Sequence, residues 1–165
     1  MKTLVLMRHA KALQAEAGEM DFNRNLADRG KHDASEMGKR LHKKSFQPDL
    51  IIASSANRTL KTAKIVAHEL GYDEHLVVGE QDIYEAGVFD VLRVIRNTPD
   101  EVKKMILVGH NPTITGLVGY LSNQLVEHVP TAGVALITFD VKTWHQISAG
   151  IGKLNLFDAP KNSHK

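Results

Sequence analysis

The chain has 165 residues, room for one core of ordinary size but not for two independent domains. With 42% hydrophobic and 24% charged residues it has a globular composition, which argues against a disordered or low-complexity chain. A net charge of +2 argues against nucleic-acid binding through bulk positive charge, and the lack of cysteine removes disulfides, thiolate zinc sites and cysteine nucleophiles together.

Taken in chain order, residues 4–7 form a short apolar run that suits a strand buried on both faces. The run is too short for a signal-peptide core, which needs roughly seven to fifteen residues. Nor do eighteen apolar residues run together anywhere, as a membrane span would require. No leader and no membrane span are therefore expected, and the cytoplasm is the default compartment.

Residues 11–27 lack periodicity and read as a long loop. Ala34, Met37 and Leu41 then mark a helix over 28–43, with Asp28 as its N-cap. After Pro48, residues 50–53 give a second buried strand. A helix over 57–70 follows, with Leu60, Ala63, Ala67 and Leu70 on one stripe and Gly71 to end it. A weaker strand is expected at 76–78. Val88, Val91, Leu92 and Ile95 mark the next helix, closed by Pro99, and 105–108 is another buried strand. Gly109-His110-Asn111-Pro112 then opens a helix carrying Ile114, Leu117, Val118 and Leu121. Residues 134–139 and 144–148 read as a closing strand pair. A polar tail over 159–165 is expected to fray, which leaves a single domain over 1–158.

Strands alternating with helices predict an α/β fold: three layers, α/β/α, around a mostly parallel central sheet. Ligands of such sheets bind beyond the carboxyl ends of the strands. Arg8-His9, Ser54 to Arg58 and Gly109-His110 each follow a strand, so two histidines and two arginines converge if those strands are neighbours.

Paired guanidiniums match the oxygens of a phosphate bidentately, and the start of the helix after Ser54 adds amide donors. Beside them a neutral imidazole can attack phosphorus, which divides hydrolysis into transfer to His9 and attack by water. Arg8, Arg58 and His110 would then stabilise the equatorial oxygens, and Ser54, at the end of the second strand, is a candidate to bind them. A proton for the leaving oxygen points to Glu85, with Asp82 nearby, although Glu85 reads equally as a solvated loop carboxylate. Asn25, Asp28 and Arg29 are placed to rim the site. No His-x-x-x-His pair occurs, so neither a metal nor another cofactor is expected. The run Lys39-Arg40-Leu41-His42-Lys43-Lys44 reads as the solvated end of a helix, and less readily as a docking patch for an acidic protein.

Leu4-Val5-Leu6-Met7-Arg8-His9-Ala10 resembles the signature of the histidine phosphatase (phosphoglycerate mutase-like) superfamily. Ser54-Ser55-Ala56-Asn57-Arg58-Thr59-Leu60-Lys61-Thr62-Ala63 is similar to its second arginine block, and Val108-Gly109-His110-Asn111-Pro112 to its second histidine block. The three come in the family's order and span the chain. Short length and Ile83-Tyr84-Glu85-Ala86 resemble the SixA-type branch, the phosphohistidine phosphatases. The resemblance implies a phosphoglycerate mutase-like fold and a phosphorylated His9. Arg8, Arg58 and His110 would complete the pocket, with Asn111 beside it. Ala10 stands where the family usually has glycine, and the acid segment around Glu85 differs from the common pattern.

The expected activity is metal-independent hydrolysis of phosphohistidine on a phosphotransfer protein, since the chain has no room for a covering segment. A phosphatase of a small phosphorylated metabolite is the alternative of the same chemistry. A mutase, which must shield its intermediate from water, fits less well. A phosphate-recognising module without turnover is the alternative of another class. Neither nucleic acid nor membrane is an expected partner.

Overall fold

The computed structural model describes residues 1–162. Six strands form one sheet in the order β3-β2-β4-β1-β5-β6: β1 (Lys2–Arg8), β2 (Leu50–Ser54), β3 (Val78–Glu80), β4 (Lys104–Gly109), β5 (Val134–Phe139) and β6 (Lys153–Asp158). The first four run parallel, while β5 is antiparallel to β1 and β6 to β5. Four helices complete the fold, α1 (Asp28–Lys43), α2 (Asn57–Glu69), α3 (Val88–Arg96) and α4 (Thr113–Ser122).

The apolar strands are continuous because both their faces are covered. Along β1, Val5 and Met7 join Met37, Leu41, Ala63 and Val66 of α1 and α2. Leu4 and Leu6 join Val91, Ile95, Leu117 and Val118 of α3 and α4 on the other side. All four of these β1 side chains are fully buried. The α/β/α expectation holds, and β1 lies beside β4, which lies beside β2.

Three expectations shift. The weak strand begins at Val78, because Glu74–Leu76 close a 3-10 turn whose start is held by the Asp73 carboxylate accepting from the His75 amide at 2.9 Å. The segment 144–148 is not a strand: Trp144–Gln146 is a 3-10 turn, and the closing strand is β6. Trp144 is fully buried, and its indole N–H donates to the Val102 carbonyl at 2.8 Å. Alternating polarity there thus reports one core tryptophan between capping residues rather than a pleat. Finally, Ala27 occupies the N-cap of α1 and Asp28 is the first helical residue, where its charge suits the helix dipole without a cap bond.

Residues 158–162 are held rather than frayed. The Arg40 guanidinium pairs with the buried Asp158 carboxylate at 3.3 Å and donates to the carbonyls of Ala159, Pro160 and Asn162. Residues 163–165 of the polar tail lie outside the described residues. Among the described residues no helix is long and apolar enough to cross a membrane.

Candidate active site

Register brings the motif residues to one end of the sheet. Arg8 pairs with Gly109, so both chains leave the sheet at the same level, and the His9 amide donates to the Gly109 carbonyl at 3.1 Å. Ala53 pairs with Val108, which brings Ser54 and the start of α2 alongside. The Ala10 amide donates to Thr62 Oγ1 of α2 at 3.0 Å, and the Ala132 amide donates to the Arg8 and His9 carbonyls, both at 3.1 Å. The turn after β1 is therefore clamped from two sides.

The result is a cavity of about 420 Å³ lined by Arg8, His9, Arg58, Glu85, His110 and Asn111, together with Lys11, Ala12, Arg24, Tyr84 and Thr131. The two imidazoles lie with centroids 5.4 Å apart and their planes tilted by 60°. His9 Nδ1 lies 2.8 Å from the Ala10 carbonyl, which can only accept, so Nδ1 carries the hydrogen and Nε2 keeps its lone pair. Burial, followed by the charges of Arg58, Arg8 and Arg24, pushes His9 down to about 4 against the opposing bond to Ala10. The ring is neutral at pH 7.

His110 is pushed down further, to about 3, by burial and then by Arg58. Its Nδ1 lies 3.4 Å from Arg58 Nη2, an obligate donor, so Nδ1 accepts and Nε2–H points to Ser54 Oγ at 2.8 Å. Ser54 is fully buried and does not line the cavity, a correction to its expected contact with phosphate: it anchors His110 from behind.

Asn111 lines the wall, but its side chain is committed to structure. Its Nδ2 donates to the Val129 carbonyl at 2.9 Å, and its Oδ1 accepts from the Thr115 amide at 3.1 Å. Arg8 Nη1 donates to that same Val129 carbonyl at 3.2 Å. Arg58 donates to the Asp21 carbonyl at 2.9 Å and to Asp21 Oδ2 at 3.0 Å. The Nε groups of both arginines are buried with no acceptor among the described residues. Buried, unpaired donors beside two neutral imidazoles suit an oxyanion.

Asp21 is the principal residue that sequence reading missed. Its carboxylate accepts from Tyr84 Oη at 2.8 Å and from Arg24 Nη1 at 3.1 Å as well as from Arg58. Those bonds, the one from Tyr84 foremost, hold it down at about 2. Burial and Asp21 push the Tyr84 hydroxyl up to about 12, so it remains a donor. Nothing in the aperiodic 11–27 segment marks Asp21, Arg24 or Lys11 as facing the site. Of the residues expected to rim it, Arg29 instead pairs with Asp33 on α1, and Asn25 bonds Asn57 at the start of α2.

Glu85 is exposed and lines the cavity with φ +53, a left-handed conformation costly for a residue with a Cβ. Asp82 lines a separate depression with Glu80 and Asp90, which leaves Glu85 as the carboxylate nearer the pocket. No three or more His, Asp or Glu side chains gather in a metal-binding arrangement among the described residues.

Residues 4–85 match the family model of the histidine phosphatase superfamily, branch 1. The chain belongs to the histidine phosphatase superfamily. The match spans Arg8, His9 and Arg58, and β4 adds His110 to the same pocket. An uncharacterised protein of Mycobacterium tuberculosis is similar to this histidine phosphatase at 29% identity over 94% of this chain and 100% of its own. The candidate phosphohistidine phosphatase SixA of Agrobacterium tumefaciens superposes with a TM-score of 0.80 at 29% identity, over 96% of this chain and 98% of its own. That of Nakamurella multipartitia gives 0.82 at 25% identity, over 98% and 97%. The fold of this histidine phosphatase is thus SixA-like and phosphoglycerate mutase-like.

Proposed function

We propose that this histidine phosphatase hydrolyses phosphohistidine on a phosphotransfer protein in the cytoplasm, through a phosphoryl group carried on His9 Nε2. The observation that carries this reading is the 2.8 Å bond from His9 Nδ1 to the Ala10 carbonyl. It fixes the tautomer, leaves Nε2 as the only nucleophilic nitrogen of the ring, and does so in a ring held neutral at pH 7.

In the first step the Nε2 lone pair attacks phosphorus and the bond from phosphorus to the substrate's imidazole nitrogen breaks. Arg8 and Arg58 meet the charge on the equatorial oxygens, and each has a buried Nε–H with no described acceptor. His110 braces Arg58 through Nδ1. In the second step water attacks phosphorus, the Nε2–P bond breaks, and inorganic phosphate leaves. Glu85 is assigned the proton transfers to the leaving group and from water. The scheme takes its positive charge from the protein's own guanidiniums.

A protein substrate is supported by how little covers the pocket. Only residues 55–56 separate β2 from α2, and only 110–112 separate β4 from α4. The 9–27 and 123–133 connections are the longer segments beside it, and part of the first is bridged back on itself between Ala12 and Leu26. Likeness to two SixA proteins favours the same choice.

The test is dephosphorylation of a histidine-phosphorylated phosphotransfer protein by wild type and His9→Ala, with p-nitrophenyl phosphate alongside. Loss of phosphohistidine with wild type alone, and acid-labile label trapped on His9, is the expected result. Turnover of the small ester but not of the protein would move the activity to a small phosphorylated metabolite. Phosphate binding without turnover of either would leave a binding module.

A further inference from the structure

Phosphoryl transfer to His9 assigns no substrate contact to two cations of the cavity. Lys11 and Arg24 line it, yet they come from the 9–27 connection and not from a strand end. Arg24 is a fixed group: Nε donates to the Leu13 carbonyl at 2.8 Å, Nη1 donates to Asp21 Oδ1 at 3.1 Å, and the side chain is 27% exposed. No described residue accepts from its Nη2. Asp21 also spans the two sites, because its other oxygen receives Arg58 Nη2 at 3.0 Å. Two guanidiniums therefore flank one carboxylate, Arg58 from α2 and Arg24 from the 9–27 connection.

The backbone beneath these cations is pinned. The Ala27 amide donates to the Lys11 carbonyl at 2.9 Å, and the Leu13 amide donates to the Asn25 carbonyl at 2.8 Å. At Gly30 of α1 an added Cβ would come within 2.1 Å of that Lys11 carbonyl, so the glycine lets the segment seat directly on the helix. An arginine held at two points loses little entropy on meeting an anion, and its remaining N–H groups form a planar donor edge suited to a carboxylate.

We propose that Arg24 and Lys11 form a second anionic subsite, which takes a carboxylate carried by the substrate beside its phosphoryl group. The source of that carboxylate rests on the phosphohistidine reading above: it is an acidic side chain flanking the phosphorylated histidine of the protein substrate.

Calorimetry with two non-hydrolysable probes that differ by one carboxylate, methylphosphonate and phosphonoacetate, tests the subsite without turnover. Wild type is expected to bind phosphonoacetate about tenfold more tightly, the worth of one charge-assisted hydrogen bond. That ratio should fall close to one in Arg24→Ala, fall part-way in Lys11→Ala, and be partly kept in Arg24→Lys. If Arg24→Ala does not fold, Lys11→Ala at an exposed side chain carries the measurement. A ratio near one in wild type, or one unmoved by the Arg24 and Lys11 changes, overturns the proposal. The source is tested on the phosphoprotein. Neutralising acidic residues beside its phosphohistidine should raise KM for wild type, and raise it by a smaller factor for Lys11→Ala. A carboxylate preference on phosphonoacetate with no hydrolysis of the phosphoprotein would keep the subsite, reject the protein substrate, and place the carboxylate on a small ester.

Discussion

At the scale of single residues the site depends on which nitrogen carries which hydrogen. His9 must be neutral to attack, and burial among arginines moves its titration down to about 4. The kcat/KM profile of the free enzyme is therefore expected to stay flat on acidification past pH 6.5, where an ordinary histidine titrates, and to fall only as pH drops through about 4. An acid limb near 6.5 in stopped assays on the small ester would contradict this. Ser54 acts through His110: its hydroxyl receives Nε2–H and so leaves Nδ1 to brace Arg58. Ser54→Ala removes one buried hydrogen bond of roughly 1 kcal/mol, about fivefold if it is felt in the transition state. The expected outcome is a kcat lowered by that order with KM for the small ester nearly unchanged, read by steady-state kinetics. A Ser54 that served packing alone would move thermal stability and leave kcat in place.

At the scale of elements, the helices were legible because their apolar residues repeat at helical spacing and because the turns beside them carry recognisable chemistry. Gly71 ends α2 at φ +69, as its position suggested. Gly38 does something that periodicity does not reveal. It lies where α1 crosses α2, and an added Cβ would stand 2.8 Å from Glu69 Cβ and 3.3 Å from Val66 Cα. Gly38→Ala is expected to push the two helices apart at a cost of about 1–3 kcal/mol, despite alanine's better helix propensity, measured as a lower urea midpoint. The closing strand shows the opposite limit. Trp144 and its neighbours alternate in polarity like a strand, but the tryptophan is drawn into the core and its N–H is satisfied by Val102. A single large buried side chain and a pleated strand give the same short pattern, and only packing separates them.

For the whole molecule, the charge pairs that matter join distant parts of the chain. Arg40 on α1 pairs with Asp158 at the end of β6, with side chains only 10% and 5% exposed, and also binds three carbonyls of the terminal segment. Arg40→Ala removes the guanidinium facing that buried carboxylate. The expected loss is about 3 kcal/mol in denaturant unfolding, with residues 158–162 released to proteolysis. Stability should also depend on pH in a defined window. His9 and His110 titrate at about 4 and about 3 when folded and near 6.5 when unfolded, so between those values the unfolded chain binds more protons. Stability then falls as pH drops from 6.5 towards 3. Asp21, at about 2 when folded against 3.8, extends the fall in the same direction at lower pH. Melting temperature against pH checks this, and a His9→Gln, His110→Gln pair should flatten the upper part of the curve.

The sequence by itself determined the alternation of strands and helices, and with it the layered sheet and the end of that sheet where a ligand binds. These follow from side-chain periodicity and chain direction, which are local properties. It also supplied Arg8, His9, Arg58 and His110, because each stands directly after a strand and is carried to the pocket by register alone. Tertiary structure decided the rest. Asp21, Arg24 and Lys11 come from a segment with no period, and Glu85, already a candidate from the sequence, reaches the cavity with Tyr84 through a 3-10 turn and its own left-handed conformation. Ser54 was expected to touch phosphate but holds His110 instead, while Asn111 lines the cavity as expected and also ties down the 129 carbonyl. What a strand-end residue is near can be read along the chain. Which side chain His110 braces, and which hydrogen it holds, depends on Arg58 and Ser54, more than fifty positions away, and only the folded chain sets those distances.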